Sequence, residues 1–343
     1  MAISQTQVPT AAETAASRRP LSIPGGGILL ANLALVLIAV AALRIDLFGR
    51  GSLSTLTPVI GIMIIVALGQ AFIIGTGGID LSIPSTITLV GIVILKSSAG
   101  ADQGLVKALT LSLVACLLIG LLNGVLVEVF RLNALVVTLA TGQLIAGLTR
   151  LYRGPALAKS QVPDNLSSFA RADFANISAI LLLAVLVSVA VAAWLKFHIT
   201  GRTVAASSVA RTAAEHTGLS AVRQRIIAWV VGTTLVGLAA VLLSGQISTP
   251  DLTLGDPYLL TSVVAVVLGG AAISGGQVKV AGTALGALFI MLLEHIFRVR
   301  GFSSGVSLVV EGLVLAVGLT LVASSKKLGW ASIFARREGT AKE

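Results

Sequence analysis

An all-α, polytopic membrane bundle of about ten helices is the fold class this sequence predicts, and three observations predict it. Hydrophobic residues make up 56% of the 343 and charged residues only 11%, against about 25% charged in a soluble domain. A soluble fold of this size has too few charges here to cover its surface, and the mean hydropathy of +1.00 agrees. The apolar residues also come in runs close to the ~20 residues a helix needs to cross the hydrocarbon. Finally there are 36 glycines, and Gly is more frequent in membrane helices than in soluble ones.

The elements follow in order. Residues 1–26 are rich in Ala, Thr, Ser and Pro and read as a flexible tail. Candidate spans then fall at 27–45, 56–75, 81–96, 106–127, 134–152, 177–196, 226–247, 258–274, 280–297 and 304–323. The first resembles a signal-peptide core, but further apolar runs follow it, so it reads as an uncleaved span. The third and eighth are short and edged by Gly or Pro, which predicts broken or tilted helices. Residues 27–325 thus form one transmembrane domain, with the largest internal loop at about 197–225 and a second tail at 326–343.

Lys and Arg set the orientation. With the N-terminus inside, 14 of the 24 basic residues fall inside. The stretch 196–225 alone carries Lys196, Arg202, Arg211, Arg223 and Arg225, and the C-terminal tail is basic too. Both termini are therefore expected in the cytoplasm. The segment between the fifth and sixth spans, with Pro155 and Pro163, is the longest external one and is expected to cap an external vestibule. A formal charge of +10 would suggest nucleic acid in a soluble protein. Here the basic residues sit singly at span ends, and aromatic stacking platforms are scarce, so membrane lipid is the expected partner and nucleic acid is not.

Three loops carry information. The internal loop has an Ala-rich centre without Gly or Pro at 205–216, which predicts a short helix stopped by Gly218 in a left-handed cap. Such a helix rests on anionic lipid or docks a partner protein, and both readings stand at this point. The second, Gly75-Thr76-Gly77-Gly78-Ile79-Asp80-Leu81-Ser82, interrupts one apolar stretch. Non-helical backbone at membrane depth survives only against protein or a water-filled cavity, and an acidic residue there is a functional candidate. Asp80 is expected chiefly to cap the following helix, with Ser82 in its first turn. The third break holds Gly269, Gly270, Gly275 and Gly276. It permits a half-helix ending in the membrane, or close packing of small residues continued by Gly282 and Gly286. Asn123 is the polar residue of the fourth span. Glu294 and Arg298 are spaced to pair on one helix face, and Glu311 in the tenth span needs a partner.

Several chemistries lack their motifs. There is no G-x-x-x-x-G-K-[ST], so no ATP site of the P-loop kind. There is no HExxH, no CxxC and no His cluster, so no metal site. Cys116 stands alone in an apolar run and reads as a buried hydrophobe. No catalytic residue is predicted.

The stretch from Gly69 to Ser85, GQAFIIGTGGIDLSIPS, resembles the signature of ribose-type ABC-importer permeases. Gly120-Leu121-Leu122-Asn123-Gly124 and Val136-Val137-Thr138-Leu139-Ala140-Thr141 resemble that family's next blocks. Gly201-Arg202, Ala213-Ala214 and Thr217-Gly218-Leu219 resemble its coupling loop. Val266-Val267-Leu268-Gly269-Gly270, Gly275-Gly276 and residues 281–287 resemble its C-terminal block. The resemblance spans about residues 55–325. It implies a type II importer permease of ten spans working as a pair with a second permease copy. It implies docked ABC ATPase subunits that bind the ATP and Mg, and a periplasmic sugar-binding protein that delivers a monosaccharide or polyol across the bacterial inner membrane. Gly201, Arg202, Ala213, Ala214 and Gly218 are then expected to couple to the ATPase. Gly77, Gly78, Asp80, Ser82, Asn123 and the four glycines of the second break are expected to form helix breaks along the translocation path. Three places depart from the family's pattern: Ser207-Ser208-Val209-Ala210-Arg211 where a Gly-Gly-Asn-like turn is usual, Glu294-His295 where it is Asn-rich, and Asn133-Ala134 where prolines are common. An ion-coupled secondary transporter using Asp80, Glu294 and Glu311 is the alternative.

Overall fold

The computed structural model describes residues 26–154, 161–216, 218–303 and 305–314, with 316 and 320. The tails expected at 1–26 and 326–343 lie outside these residues, apart from Gly26. Ten apolar helices match the ten runs. α1 (Gly26–Leu37) continues as a π-helical turn, Ile38–Ala42, and is followed by α2 (Arg50–Gly75), α3 (Ile83–Ser98), α4 (Leu105–Glu128) and α5 (Ala134–Arg153). A short helix α6 (Asp164–Arg171) and a two-residue hairpin lead into α7 (Ala179–Phe197). Two short helices, α8 (Ile199–Val209) and α9 (Arg211–His216), precede α10 (Ala221–Ile247), α11 (Tyr258–Leu268) and α12 (Val280–Val299). α13 spans Gly305–Val314. The third and eighth spans are indeed the short ones.

α2 is the axis of the bundle. Its apolar window is 94% buried, against 22% for the helix ending at Glu128 and 17% for α7. A helix apolar all round belongs in the centre, and α2 is ringed by α7, α10, α11 and α12. α10 crosses it at reciprocal glycines. A Cβ on Gly69 would lie 2.5 Å from the Gly232 carbonyl oxygen, and one on Gly232 would lie 2.7 Å from that of Gly69. On its other side α10 meets α4, where Cys116 Sγ fills the space over Gly237. The outer helices α4, α5 and α7 expose rows of leucine and valine, among them Leu118, Leu144, Leu151 and Leu186. Those rows are expected where lipid or another membrane subunit is the neighbour.

The helices alternate between two ends. One end carries α8 and α9 with the C-terminus of α4 and the N-termini of α5 and α10. The opposite end carries α6 and the hairpin, tied down by Ser178 N–H to Thr57 Oγ1 at 3.0 Å, Val162 N–H to the Ser248 carbonyl at 2.9 Å and Asn165 N–H to Asp102 Oδ1 at 2.9 Å. α6 packs against α10, where a Cβ on Gly245 would touch Ala170. Within the described residues this segment braces α10; residues 155–160 of the expected cap lie outside them.

The internal loop corrects one expectation. It holds two helices in place of a single helix over 205–216. The first starts early because His198 caps it, its Nδ1 accepting from Thr200 N–H. It ends where Ala210 turns extended, at φ −149° and ψ 96°. The predicted stop is present: Leu219 N–H bonds the Ala214 carbonyl and Gly218 N–H that of Glu215, both at 3.1 Å, with Gly218 at φ +81°.

Candidate translocation site

The two glycine-rich breaks meet. α2 ends at Gly75, and Gly276 N–H donates to the Gly75 carbonyl at 3.0 Å. Gly275, at φ +93°, lies so close that a Cβ there would sit 3.1 Å from both the Gly75 oxygen and the Gly77 nitrogen. Gly77 also has positive φ, +84°. Only glycine takes these conformations cheaply. Small-residue packing continues beyond the junction, since a Cβ on Gly269 would lie 2.6 Å from the Gly282 oxygen and one on Gly286 would reach the Ala265 carbonyl.

Side chains from α4, α5 and α10 hold the first break. Asp80 is buried, and its Oδ1 accepts from Ser82 N–H at 2.7 Å and Ser82 Oγ at 2.5 Å. The carboxylate therefore folds the turn before α3, and Ser82 is the N-cap residue in place of Asp80. Asn123 Nδ2 donates to Ser82 Oγ at 3.2 Å. Asp80, Ser82 and Asn123 are thus one hydrogen-bonded chain. Thr138 of α5 straddles the break: its Oγ1 accepts from Leu81 N–H at 3.0 Å and faces the Ile79 carbonyl at 3.1 Å. Trp229 of α10 fills the space under Gly78, where a Cβ would meet its ring at 2.9 Å. Arg225 Nη2 donates to the Thr76 carbonyl.

A cavity lies on each side of this septum. The one at the α8–α9 end, the inner cavity in the expected orientation, has about 710 Å³ and is lined by residues 76–79, 131–135, Glu128, Arg211 and Arg225 among others. The outer one has about 420 Å³ and is lined by Leu81, Ser85, Thr88, Gln143, Arg150 and Asp256 among others. Between them stand residues 79–81 and Thr138. Of the expected path residues, Gly77 and Gly78 line the inner cavity. Asp80, Ser82, Asn123, Gly269, Gly270, Gly275 and Gly276 are not among the residues lining these two cavities; they build the helix breaks beside them.

At the α8–α9 segment, Arg202, Ala213 and Gly218 are exposed. Gly201 and Ala214 are buried instead. A Cβ on Gly201 would collide with the Trp194 carbonyl, so this glycine serves the α7–α8 corner. Ser208 of α8 reaches the end of α2, its Oγ 3.7 Å from where a Gly75 Cβ would stand. Asn133, at one of the departures, caps α5 through Leu135 N–H at 2.9 Å.

The expected Glu294–Arg298 ion pair is absent from the described residues, where the arginine pairs are those of Arg211 and Arg225. Glu294, Arg298 and Glu311 line one cavity, where Glu311 Oε2 accepts from Thr261 Oγ1 at 3.1 Å. The run Gly301-Phe302-Ser303-Ser304-Gly305 has the spacing of a hydrolase nucleophile turn, but it joins two helices with no strand leading in. Glu128, Thr138, Arg225 and Trp229 were not expected as site residues. Glu128 had a signal: it ends an apolar span opposite a loop of five basic residues that needs a counter-charge.

A family model described as branched-chain amino acid transport system / permease component matches residues 52–319. The chain is 29% identical over 297 residues to ribose import permease protein RbsC of Escherichia coli K12, covering 85% of this chain and 92% of that protein. It is 31% identical over 272 residues to fructose import permease protein FruG of Bifidobacterium longum, covering 76% and 78% of the two chains. It is 33% identical over 259 residues to autoinducer 2 import system permease protein LsrD of Escherichia coli SMS-3-5, covering 74% and 78%. No solved structure matches.

Proposed function

The chain belongs to the branched-chain amino acid transport system / permease component family, and from that premise we propose that it is the membrane-spanning subunit of an ATP-binding-cassette importer for a monosaccharide or related polyol. It is a multi-pass membrane protein, and the bacterial inner membrane is its place. The observation that carries the mechanism is the septum of residues 79–81 and Thr138 between two cavities that open toward opposite ends. A permease must hold such a barrier closed on one side at a time. This one is made of broken helices, which can rearrange without exposing backbone to lipid.

The cargo class rests on the relatives, which are named for importing ribose, fructose and autoinducer 2. The outer cavity suits a polyhydroxy ligand: Ser85, Thr88 and Gln143 present hydroxyl and amide groups, with Arg150 and Asp256 at its rim. A periplasmic sugar-binding protein would deliver there. A second permease copy would close the path from the side where α5 exposes Leu139 and Leu144.

Energy enters at the α8–α9 end. ABC ATPase subunits, carrying ATP and Mg, would dock on the face that presents Arg202, Ala213 and Gly218. The five basic residues of 196–225 support placing this end, and both termini, in the cytoplasm. The test is uptake into proteoliposomes holding this chain with a cognate ABC ATPase and sugar-binding protein, with labelled ribose, fructose and xylitol as probes. Uptake of at least one should require ATP, survive a protonophore and vanish when the ATPase's P-loop lysine is changed. Arg202→Glu should abolish it while leaving membrane insertion intact. Uptake that follows a proton or sodium gradient instead would overturn the reading.

A further inference from the structure

We propose that Glu128 is the positioning residue that links α9 to the helix break, so that a displacement of the α8–α9 segment is delivered to residues 76–79 through Arg225. The proposal rests on reading that segment as the ATPase-facing one.

Glu128 is the last residue of α4, and its side chain is 1% exposed. One oxygen, Oε2, serves two guanidinium groups: Arg225 Nε stands 2.9 Å away and Arg211 Nη1 3.5 Å away. Arg225 lies in the first helical turns of α10, and its Nη2 donates to the carbonyl of Thr76, the C-cap residue of α2. Arg211 opens α9 and also meets Glu215 Oε1 of the same helix at 3.3 Å. Four elements therefore converge on one carboxylate: the ends of α4 and α2, the start of α10, and α9. Thr76, Glu128, Arg211, Glu215 and Arg225 all line the inner cavity, beside Gly77, Gly78 and Ile79. A shift anywhere in the network changes the inner mouth of the septum.

The electrostatics give the link stiffness. A carboxylate buried this deeply is tolerable only while paired, and removing one partner leaves an uncompensated charge. Moving α9 takes Arg211 away from Glu128 or drags Glu128 with it. In either case the balance at Oε2 shifts toward or away from Arg225, and Arg225 holds the Thr76 carbonyl. Both guanidinium groups meet the same oxygen, Oε2, so a change at one is felt directly at the other. Arg211 supplies the guanidinium that α9 extends to α4.

The experiment reads the septum directly and needs no known cargo. Leu132→Cys, exposed in the inner cavity wall, is placed in a Cys116→Ala background of the full complex with its ATPase. Labelling by a charged maleimide is compared without nucleotide and after trapping with ATP and vanadate. The parent should show a change in labelling rate of about fivefold or more, the size expected of a two-state shift of one to two kcal/mol. In Glu128→Gln that change should fall below about twofold while ATP hydrolysis per complex stays within about twofold of the parent. Arg225→Lys keeps the charge beside Glu128 but loses the planar fork that reaches both partners, so it should fall between. Glu128→Asp, which keeps the carboxylate, should retain more of the response than Glu128→Gln. A full response in Glu128→Gln overturns the proposal. So does a parallel loss of hydrolysis and complex yield in Glu128→Gln with no recovery in Glu128→Asp, which is what a purely structural residue would give. If the parent itself shows no nucleotide response, the ATPase reading falls and this proposal with it.

Discussion

The two glycine-rich breaks meet at one junction but are held by different means. The first, at 75–82, is held by side chains from three other helices: Asn123 acts through Ser82, Thr138 bridges Ile79 and Leu81, and Arg225 takes the Thr76 carbonyl. The second, at 269–276, is held mainly by backbone. Gly270 N–H bonds the Val267 carbonyl at 2.8 Å, Ala271 N–H that of Val266 at 3.2 Å, and Gly276 N–H that of Gly75. A side chain also ties it: Lys279 Nζ donates to the Gly270 carbonyl at 2.7 Å. The difference teaches a division of labour. Neighbouring helices can address the first break, whereas the second follows it through main-chain contact.

The sharpest way to break that pairing is Gly275→Val. The left-handed conformation at φ +93° costs a side chain about 1–2 kcal/mol, and the Cβ adds a clash with Gly75 and Gly77 at 3.1 Å. Uptake should be lost and the thermal midpoint of the purified protein should drop. Gly276→Ala, where nothing lies within 4 Å, should cost only the conformational part. Equal losses in the two variants would mean that close contact between the breaks is not what matters.

A smaller effect is expected at Asp80. Asp80→Ala removes the acceptor for Ser82 N–H and Oγ, and a lost hydrogen bond to a charged group costs about 1.5–3 kcal/mol. Asp80→Asn keeps an oxygen in the same place. If the carboxylate only folds the turn, Asn should retain most of the uptake and of the thermal stability that Ala loses. Asn as inactive as Ala, with normal stability, would show that the charge itself is used and would revive an ion-coupled mechanism.

Legibility in the sequence divides along physical lines. The apolar helices were readable because the bilayer selects their composition and, for six of them, a length sufficient to cross it, and the breaks because glycine pairs interrupt an apolar run. That the breaks touch was not readable. Gly75 and Gly276 lie far apart in sequence, and their contact is main chain to main chain, with no side-chain pattern to announce it. The bend at Ala210 was missed because neither Gly nor Pro marks it; α8 begins at a His198 cap and ends against the Arg211–Glu128 pair. Glu294 and Arg298 had the right spacing on one helix, yet they form no ion pair among the described residues, where both share a cavity with Glu311 of α13. Thr138 lay inside a recognised block, but its role depends on facing Ile79 and Leu81, which only the packing of α5 on the break supplies.

The smallest expected effect tests the other half of the comparison. Lys279 is exposed, and its ammonium bonds a carbonyl that already has solvent nearby. A hydrogen bond of that kind contributes about 1 kcal/mol at most. Lys279→Ala should therefore leave uptake within about twofold and the thermal midpoint nearly unchanged, because Gly270 keeps its own main-chain bond to Val267. Hydrogen exchange at the amides of residues 269–276 should stay protected in this variant, while exchange at 76–82 stays as in the parent. Rapid exchange across both segments would show that Lys279, and not the main chain, holds the second break closed. The two breaks would then be alike in mechanism, each governed by a basic side chain on a helix-terminal carbonyl, Arg225 on Thr76 and Lys279 on Gly270.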